Sequence, residues 1–156
     1  MSTEVANLPY SFRPYVPDDV NFIHSSWGSS YHDGVNGHHQ LTPDEFHAYH
    51  RPIRDRVLSN PNSAAIVCHN KSDPDHIIGW ILVEKPARGN YIKCHYVYVK
   101  STFGGEGIAT ELMKMALPIR PVLYTHLTLK ARRIMKENWK ANKNTYERFH
   151  ACHHLV

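Results

Sequence analysis

One stretch in the middle of the chain, His76-Ile77-Ile78-Gly79-Trp80-Ile81-Leu82-Val83-Glu84, constrains the fold more than any other. In an extended strand successive side chains point to opposite faces. Ile77, Ile81 and Val83 then fall on one face, and Ile78, Trp80 and Leu82 on the other. Apolar residues on both faces exclude a strand with one side in water. The segment belongs at the centre of a sheet covered above and below. The rest of the chain therefore has to supply neighbouring strands and helices for two faces.

The neighbours are legible. Ala64–His69 precedes the central strand across the turn-rich Lys71-Ser72-Asp73-Pro74-Asp75, and Tyr91–Lys100 follows across Pro86–Asn90. Strands joined by such turns predict consecutive antiparallel hairpins. Upstream, Phe12-Arg13-Pro14-Tyr15 reads as a short first strand. Pro17-Asp18-Asp19 opens a helix with Val20, Ile23 and Trp27 at i, i+3, i+7 spacing. A loop rich in Gly, Ser, Asn and His is expected from Gly28 to Gln40. Thr42-Pro43-Asp44-Glu45 carries the capping-box pattern for a second helix with Phe46 and Tyr49. Pro52 is expected to kink or restart that helix before Ile53, Val57 and Leu58. Downstream, a helix with Ile108, Leu112 and Met115 on one face ends before Pro118. Val122–Thr128 is a further strand, and Lys130–Phe149 is helical by composition, with a break expected at Asn138, Asn142 and Asn144. The predicted order is β-α-α-β-β-β-α-β-α. This is an α+β domain with a mixed, mostly antiparallel sheet flanked by helices on both faces.

The 156 residues suit one domain spanning 1–156. No apolar run approaches the roughly 20 residues that span a bilayer, and the N-terminus lacks the basic-then-apolar pattern of a leader. Cys68, Cys94 and Cys152 form no CxxC pair, which suits a reducing, cytoplasmic setting. Charge is unevenly spread. Residues 1–119 carry 10 basic and 12 acidic side chains, whereas 120–156 carry 8 basic and 2 acidic, so an anionic ligand is expected near the C-terminal third. Lys130, Arg132, Arg133, Lys136, Lys140 and Lys143 could meet nucleic acid, meet a coenzyme phosphate or form a solvated helix face. Trp139 offers one stacking surface among them. The histidine clusters, His38-His39 and His150 with Cys152-His153-His154, lack the paired spacing of a structural zinc site, so no metal is expected.

The remaining signal is the glycine loop Phe103-Gly104-Gly105-Glu106-Gly107-Ile108-Ala109 between a strand and a helix. Glycines let backbone N–H groups converge, and a helix N-terminus adds positive partial charge, so such loops hold phosphates. A nucleotide-triphosphate loop would end in Gly-Lys-Ser/Thr, and this one ends in Gly-Ile-Ala. A dinucleotide fingerprint would need a third glycine at Thr110 and an acidic residue about 20 positions on. Neither is present.

The stretch from Tyr96 to Ala109 resembles the acetyl-CoA-binding motif of the GCN5-related N-acetyltransferases (GNAT). Gly105, Gly107, Ile108 and Ala109 match its glycine pattern, and Gly104 stands where the family usually has Gln or Arg. The element order along residues 10–150 matches as well, and Ile77-Ile78-Gly79-Trp80 looks like the family's third strand. The resemblance implies that acetyl-CoA (coenzyme A) is the cofactor. The backbone amides of Gly104, Gly105, Gly107, Ile108, Ala109 and Thr110 would hold its pyrophosphate. The main chain at Val97 and Val99 would pair with its pantetheine arm, in a gap between Tyr91–Lys100 and Val122–Thr128. It also implies direct acyl transfer to an amine acceptor, a small molecule or a protein, within a ternary complex.

Acetyl transfer needs a base for the amine and an acid for the departing thiolate. Thr145-Tyr146-Glu147-Arg148-Phe149 resembles a family signature that places Tyr146 as that acid, although the Gly-Phe that ends the signature is missing. The family often has a carboxylate on the strand before the glycine loop, but this chain has Cys94-His95-Tyr96 there. His95 is chemically apt as the base, with water-relayed proton loss as the alternative. Trp27, Ser29, Ser30 and Tyr31 would border the acceptor pocket. A rival reading has the same fold modifying a nucleobase, or binding nucleic acid or protein without catalysis, through the basic segment.

Overall fold

The computed structural model describes residues 8–34, 41–85, 88–89, 91–117, 122–125 and 149–151. Its strands are β1 (Tyr10–Pro14), β2 (Ser63–Asn70), β3 (Asp73–Glu84), β4 (Ile92–Val99), β5 (Val122–Tyr124) and β6 (Phe149–Ala151). The helices are α1 (Val20–Gly34), α2 (Pro43–Ser59) and α3 (Ile108–Ala116), with short 3₁₀ turns at Pro17–Asp19 and Ser101–Phe103. The six strands form one sheet in chain order. β1 through β4 pair antiparallel, and β4, β5 and β6 pair parallel. The fold class is therefore α+β with a mixed, mostly antiparallel sheet, as the sequence predicts.

β3 is central and buried on both faces. Trp80, Leu82 and Ile77 pack with Ile23 and Trp27 of α1, Val57 of α2, Val67 and Tyr96. Ile78, Ile81 and Val83 pack on the opposite side with Ile108 and Leu112 of α3, Leu117, Ile92, Cys94 and Val122. Ile77 and Ile78 thus sit on the opposite faces from those that strict alternation predicts. The reason is an irregularity in register, in which Cys68 opposes Gly79 while His69 opposes Ile77. One extra residue on β3 inverts the facing of everything before it.

The loop expected over residues 28–40 is corrected in its first half, because α1 continues to Gly34. The Ser-Ser-Trp-Gly-Ser-Ser composition is helical for a local reason. Ser26 Oγ donates to Phe22 O at 2.6 Å, and Ser30 Oγ donates to Ser26 O at 2.6 Å. The same hydroxyls serve the sheet, since Trp80 Nε1 donates to Ser26 Oγ at 2.9 Å and Tyr96 Oη lies 2.8 Å from Ser30 Oγ. Gly28 permits the close approach of α2, for a Cβ there would collide with the His47 ring.

The Thr42–Glu45 capping box is present in both directions at 3.2 and 2.8 Å. α2 runs unbroken through Pro52, held by Phe46 before it and Val57 after it, both buried. β3 begins at Asp73, inside the expected turn. Met115 is 47% exposed, so it is outside the core that Ile108 and Leu112 share. Phe149 starts β6 and does not end a helix. The basic segment 130–143, with the helix expected there, lies outside the described residues, as do His38, His39, Cys152, His153 and His154. No described helix is long and apolar enough to cross a membrane.

Gly79 lies where the paired strand comes closest. A Cβ at this position would sit 2.6 Å from Tyr98 O, a backbone atom of β4 with little room to yield. Gly79→Ala should cost about 1–3 kcal/mol, read as a lower urea midpoint with an unchanged denaturant slope.

Candidate active site

The glycine loop closes β4 onto α3. Gly105 and Gly107 adopt φ of +83° and +81°, the left-handed region that favours glycine, and a Cβ on either would meet no atom within 4 Å. The cradle in front of them is open. Gly107 is the N-cap of α3 and its carbonyl accepts from Glu111 N at 3.0 Å. The N–H groups of Ile108, Ala109 and Thr110 are then first-turn donors with no intrahelical acceptor. Converging amides at a helix N-terminus, with open space before them, suit an anionic phosphate group. Gly104 N–H is turned inward to Ser101 O at 3.1 Å, so the donors lie on the 105–110 side of the loop.

The strand leading to this loop turns part of its main chain away from β3. Lys100 N donates to Ile78 O of β3 at 2.8 Å, and Val99 opposes Gly79. In an antiparallel ladder the residues alternate, so the N–H and C=O groups of Val97 and Val99 point away from β3, toward the β5 side. β5, however, registers only with Ile92, Lys93 and Cys94, and Thr125 N–H to Cys94 O at 3.2 Å is the last described bond between them. Among the described residues their pairing reaches Cys94 and Tyr124.

His95 is the next residue of β4. Leu82 opposes Tyr96 and Val83 opposes Cys94, so His95 is the extra residue of a β-bulge on β4. The bulge removes His95 from the alternation that would group it with Val97 and Val99, and the ring bridges two neighbouring strands. Its Nε2 lies 3.1 Å from Glu84 Oε1 at the end of β3, and its Nδ1 lies 2.9 Å from Thr125 Oγ1 just past β5. The other Glu84 oxygen accepts from Lys93 Nζ at 3.0 Å.

Burial drives the electrostatics of this cluster. His95 is 2% exposed, and desolvation holds its pKa below the usual 6.5 despite the opposing pull of Glu84, so the ring is neutral at pH 7. For Glu84 burial acts upward, but the hydrogen bonds from Lys93 and His95 together bring it below its ordinary value, and it is ionised. A carboxylate only accepts. The imidazole therefore donates from Nε2 to Glu84, and its Nδ1 lone pair accepts the Thr125 hydroxyl.

The fold places the expected residues His95, Val97, Val99, Gly104, Gly105, Gly107, Ile108, Ala109 and Thr110 in succession from β4 to the start of α3. It adds Glu84, Lys93 and Thr125 beside His95, which the sequence reading does not name. A signal existed: Glu84 ends an otherwise apolar strand, and across the hairpin its register partner is Lys93. On the acceptor side, Trp27 is 1% exposed and stacks on Tyr96 with ring centroids 5.7 Å apart, so it is a core residue out of a substrate's reach. Ser29 is exposed and Tyr31 half-buried. Tyr146 lies outside the described residues.

The family model for the acetyltransferase (GNAT) family matches residues 23–120, well over half of the chain. The chain belongs to this family. No curated protein matches it. Among solved structures, it resembles a GCN5-related N-acetyltransferase from Ralstonia eutropha, with 13% identity over 83% of this chain and 90% of that one and a TM-score of 0.60. A possible acetyltransferase from Clostridium difficile is similar, with 13% identity over 86% and 90% and a TM-score of 0.58. A GNAT-family protein from Desulfovibrio desulfuricans shares 14% identity over 68% of this chain, with a TM-score of 0.47, and the chain spans only 62% of it. At these identities the likeness is one of fold.

The lowered histidines of this GNAT protein make its stability depend on pH. Burial holds His24, His50 and His95 below 6.5 in the fold, and each regains its ordinary value on unfolding. The unfolded chain then binds more protons, so stability is lost as pH falls through 6.5 toward the folded values. His32, raised by its hydrogen bond to Asp33, opposes this. Urea unfolding at pH 5.5 should show a lower midpoint than at pH 7.5.

Proposed function

We propose that the chain is an N-acetyltransferase that passes the acetyl group of acetyl-CoA directly to an amine acceptor, as one domain over 1–156. The observation that carries this reading is the open amide cradle at the start of α3, reached by a strand whose Val97 and Val99 main-chain groups point away from β3. A strand edge with outward amides at Val97 and Val99, running into a phosphate-binding turn, suits an extended ligand with an amide-bearing arm and a pyrophosphate. Coenzyme A is such a ligand, and it supplies the acyl thioester. The amides of Gly105 and Gly107 through Thr110 would hold the pyrophosphate. Gly104 contributes no side chain there, and its own N–H is already bonded.

The chain's residues supply the remainder of the chemistry. The Glu84–His95–Thr125 cluster, where β3, β4 and β5 meet, is the base system for the amine. Its neutral imidazole has the proton affinity that base catalysis near neutral pH needs. Tyr146 is the acid for the leaving thiolate. Ser29 and Tyr31 border the acceptor. Family membership supports an acetyltransferase.

Calorimetry with coenzyme A tests the central claim, and binding in the micromolar range is the expected result. Gly107→Val forces a β-branched residue to φ of +81° and should weaken that binding by about tenfold or more. No measurable heat with wild-type protein at high micromolar coenzyme would refute the proposal. Tyr146→Phe should slow thiol release from acetyl-CoA in the presence of a panel of primary amines by about 100-fold, with coenzyme affinity little changed.

A further inference from the structure

Resting on the acetyltransferase reading above, we propose that Thr125 is the residue that takes the proton from the acceptor amine, handing its own to His95, with Glu84 as the positioning residue that holds the imidazole for it. The three side chains form one row, Thr125 Oγ1 2.9 Å from His95 Nδ1 and His95 Nε2 3.1 Å from Glu84 Oε1.

The direction of the row follows from accessibility and from donor chemistry. His95 is 2% exposed and both ring nitrogens are engaged, so an acceptor amine does not reach the ring. Thr125 is half-buried at the end of β5, whereas both oxygens of the half-buried Glu84 are held by His95 and Lys93. The hydroxyl is therefore the end of the row placed toward an acceptor. At the other end the ionised Glu84 can only accept, which places the ring proton on Nε2 and leaves the Nδ1 lone pair facing the Thr125 hydroxyl. Among the described residues, the charged groups acting on the ring are Glu84 from β3 and Lys93 from β4 itself, and β5 leads into the neutral hydroxyl. Lys93 Nζ, 3.0 Å from the second Glu84 oxygen, balances the carboxylate charge and fixes its orientation. A hydroxyl, an imidazole and a carboxylate in series is the arrangement by which proteins move a proton through a hydroxyl at neutral pH.

The step balances without any further reactant. As the amine nitrogen bonds to the acyl carbon, its proton moves to Thr125 Oγ1 and the threonine's own proton moves to His95 Nδ1. The carbon–sulfur bond breaks, and the thiolate takes a proton from Tyr146. The proton on His95 then leaves through Thr125 to water, from which Tyr146 regains its own. Glu84 faces the imidazolium while it lasts.

The test combines nitrogen NMR of histidine-labelled protein, with His95 assigned through His95→Gln, and acetyl-CoA turnover with a panel of primary amines. At pH 7 His95 should be neutral with its proton on Nε2. Thr125→Val should move the Nδ1 resonance while keeping that tautomer, and Glu84→Gln should let the second tautomer appear. In turnover, Thr125→Val should lower kcat by about 100-fold or more with little change in KM for acetyl-CoA, and Thr125→Ser should restore most of the rate. Glu84→Gln should shift the acid limb of the kcat/KM profile to lower pH. An Nδ1–H ring, an imidazolium at pH 7, a wild-type rate in Thr125→Val, or an acetyl ester found on Thr125 by mass spectrometry would overturn the relay. Coenzyme A calorimetry separates the two levels. Absent binding refutes the acetyltransferase reading and the relay with it, whereas normal binding with the wrong tautomer refutes the relay alone.

Discussion

The burial of both faces of β3 is the requirement around which this molecule is arranged. Trp80, Ile81, Leu82 and Ile78 are each at most 1% exposed, and together they remove several large apolar side chains from water at about 1.5–3 kcal/mol each. That demand places α1 and α2 on one side and α3 on the other. It also explains why the polar atoms of the core are closely satisfied. Trp80 Nε1 and the Tyr96 hydroxyl have α1 serines as partners, so a serine-rich helix is compatible with a dry interior.

The site is a local departure from that regularity. One extra residue at His95 interrupts the β3–β4 ladder. The insertion turns an imidazole away from ordinary strand alternation and toward Glu84 and Thr125. Nothing in the loop at 104–110 is needed for this, and the loop's own contribution is separate, a turn whose left-handed glycines leave its amides facing open space.

What could be read from the chain follows from which interactions are local. The capping box at Thr42–Glu45, the apolar runs, the hairpin order and the glycine turn are all encoded within a few residues, and each is found where the sequence places it. The failures involve partners distant in sequence. Ser30 looks like a loop residue until the Tyr96 hydroxyl arrives as its partner. Ile77 and Ile78 exchange faces because of a register irregularity that no alternation pattern contains. Glu84 and Thr125 stand 11 and 30 residues from His95, so a search for a carboxylate on the strand before the glycine loop does not find them. The carboxylate is present, delivered by the neighbouring strand.

This delivery has a physical consequence for the chemistry. A carboxylate placed alone at the site would have a pKa near 4 and would be a weak base at neutral pH unless burial raised it. Here Glu84 is already neutralised by Lys93, and its remaining influence is spent on orienting His95. The ring, uncharged at rest because it is buried, becomes charged only on taking a proton, at a moment when Glu84 lies 3.1 Å from its Nε2. Burial and the carboxylate thus act in opposite directions on one group. In the proposed relay, desolvation keeps the base free of protons before reaction, and Glu84 limits the cost of the imidazolium during it. Either influence alone would displace the ring from its working range, burial by making protonation too costly and the carboxylate by keeping the ring protonated.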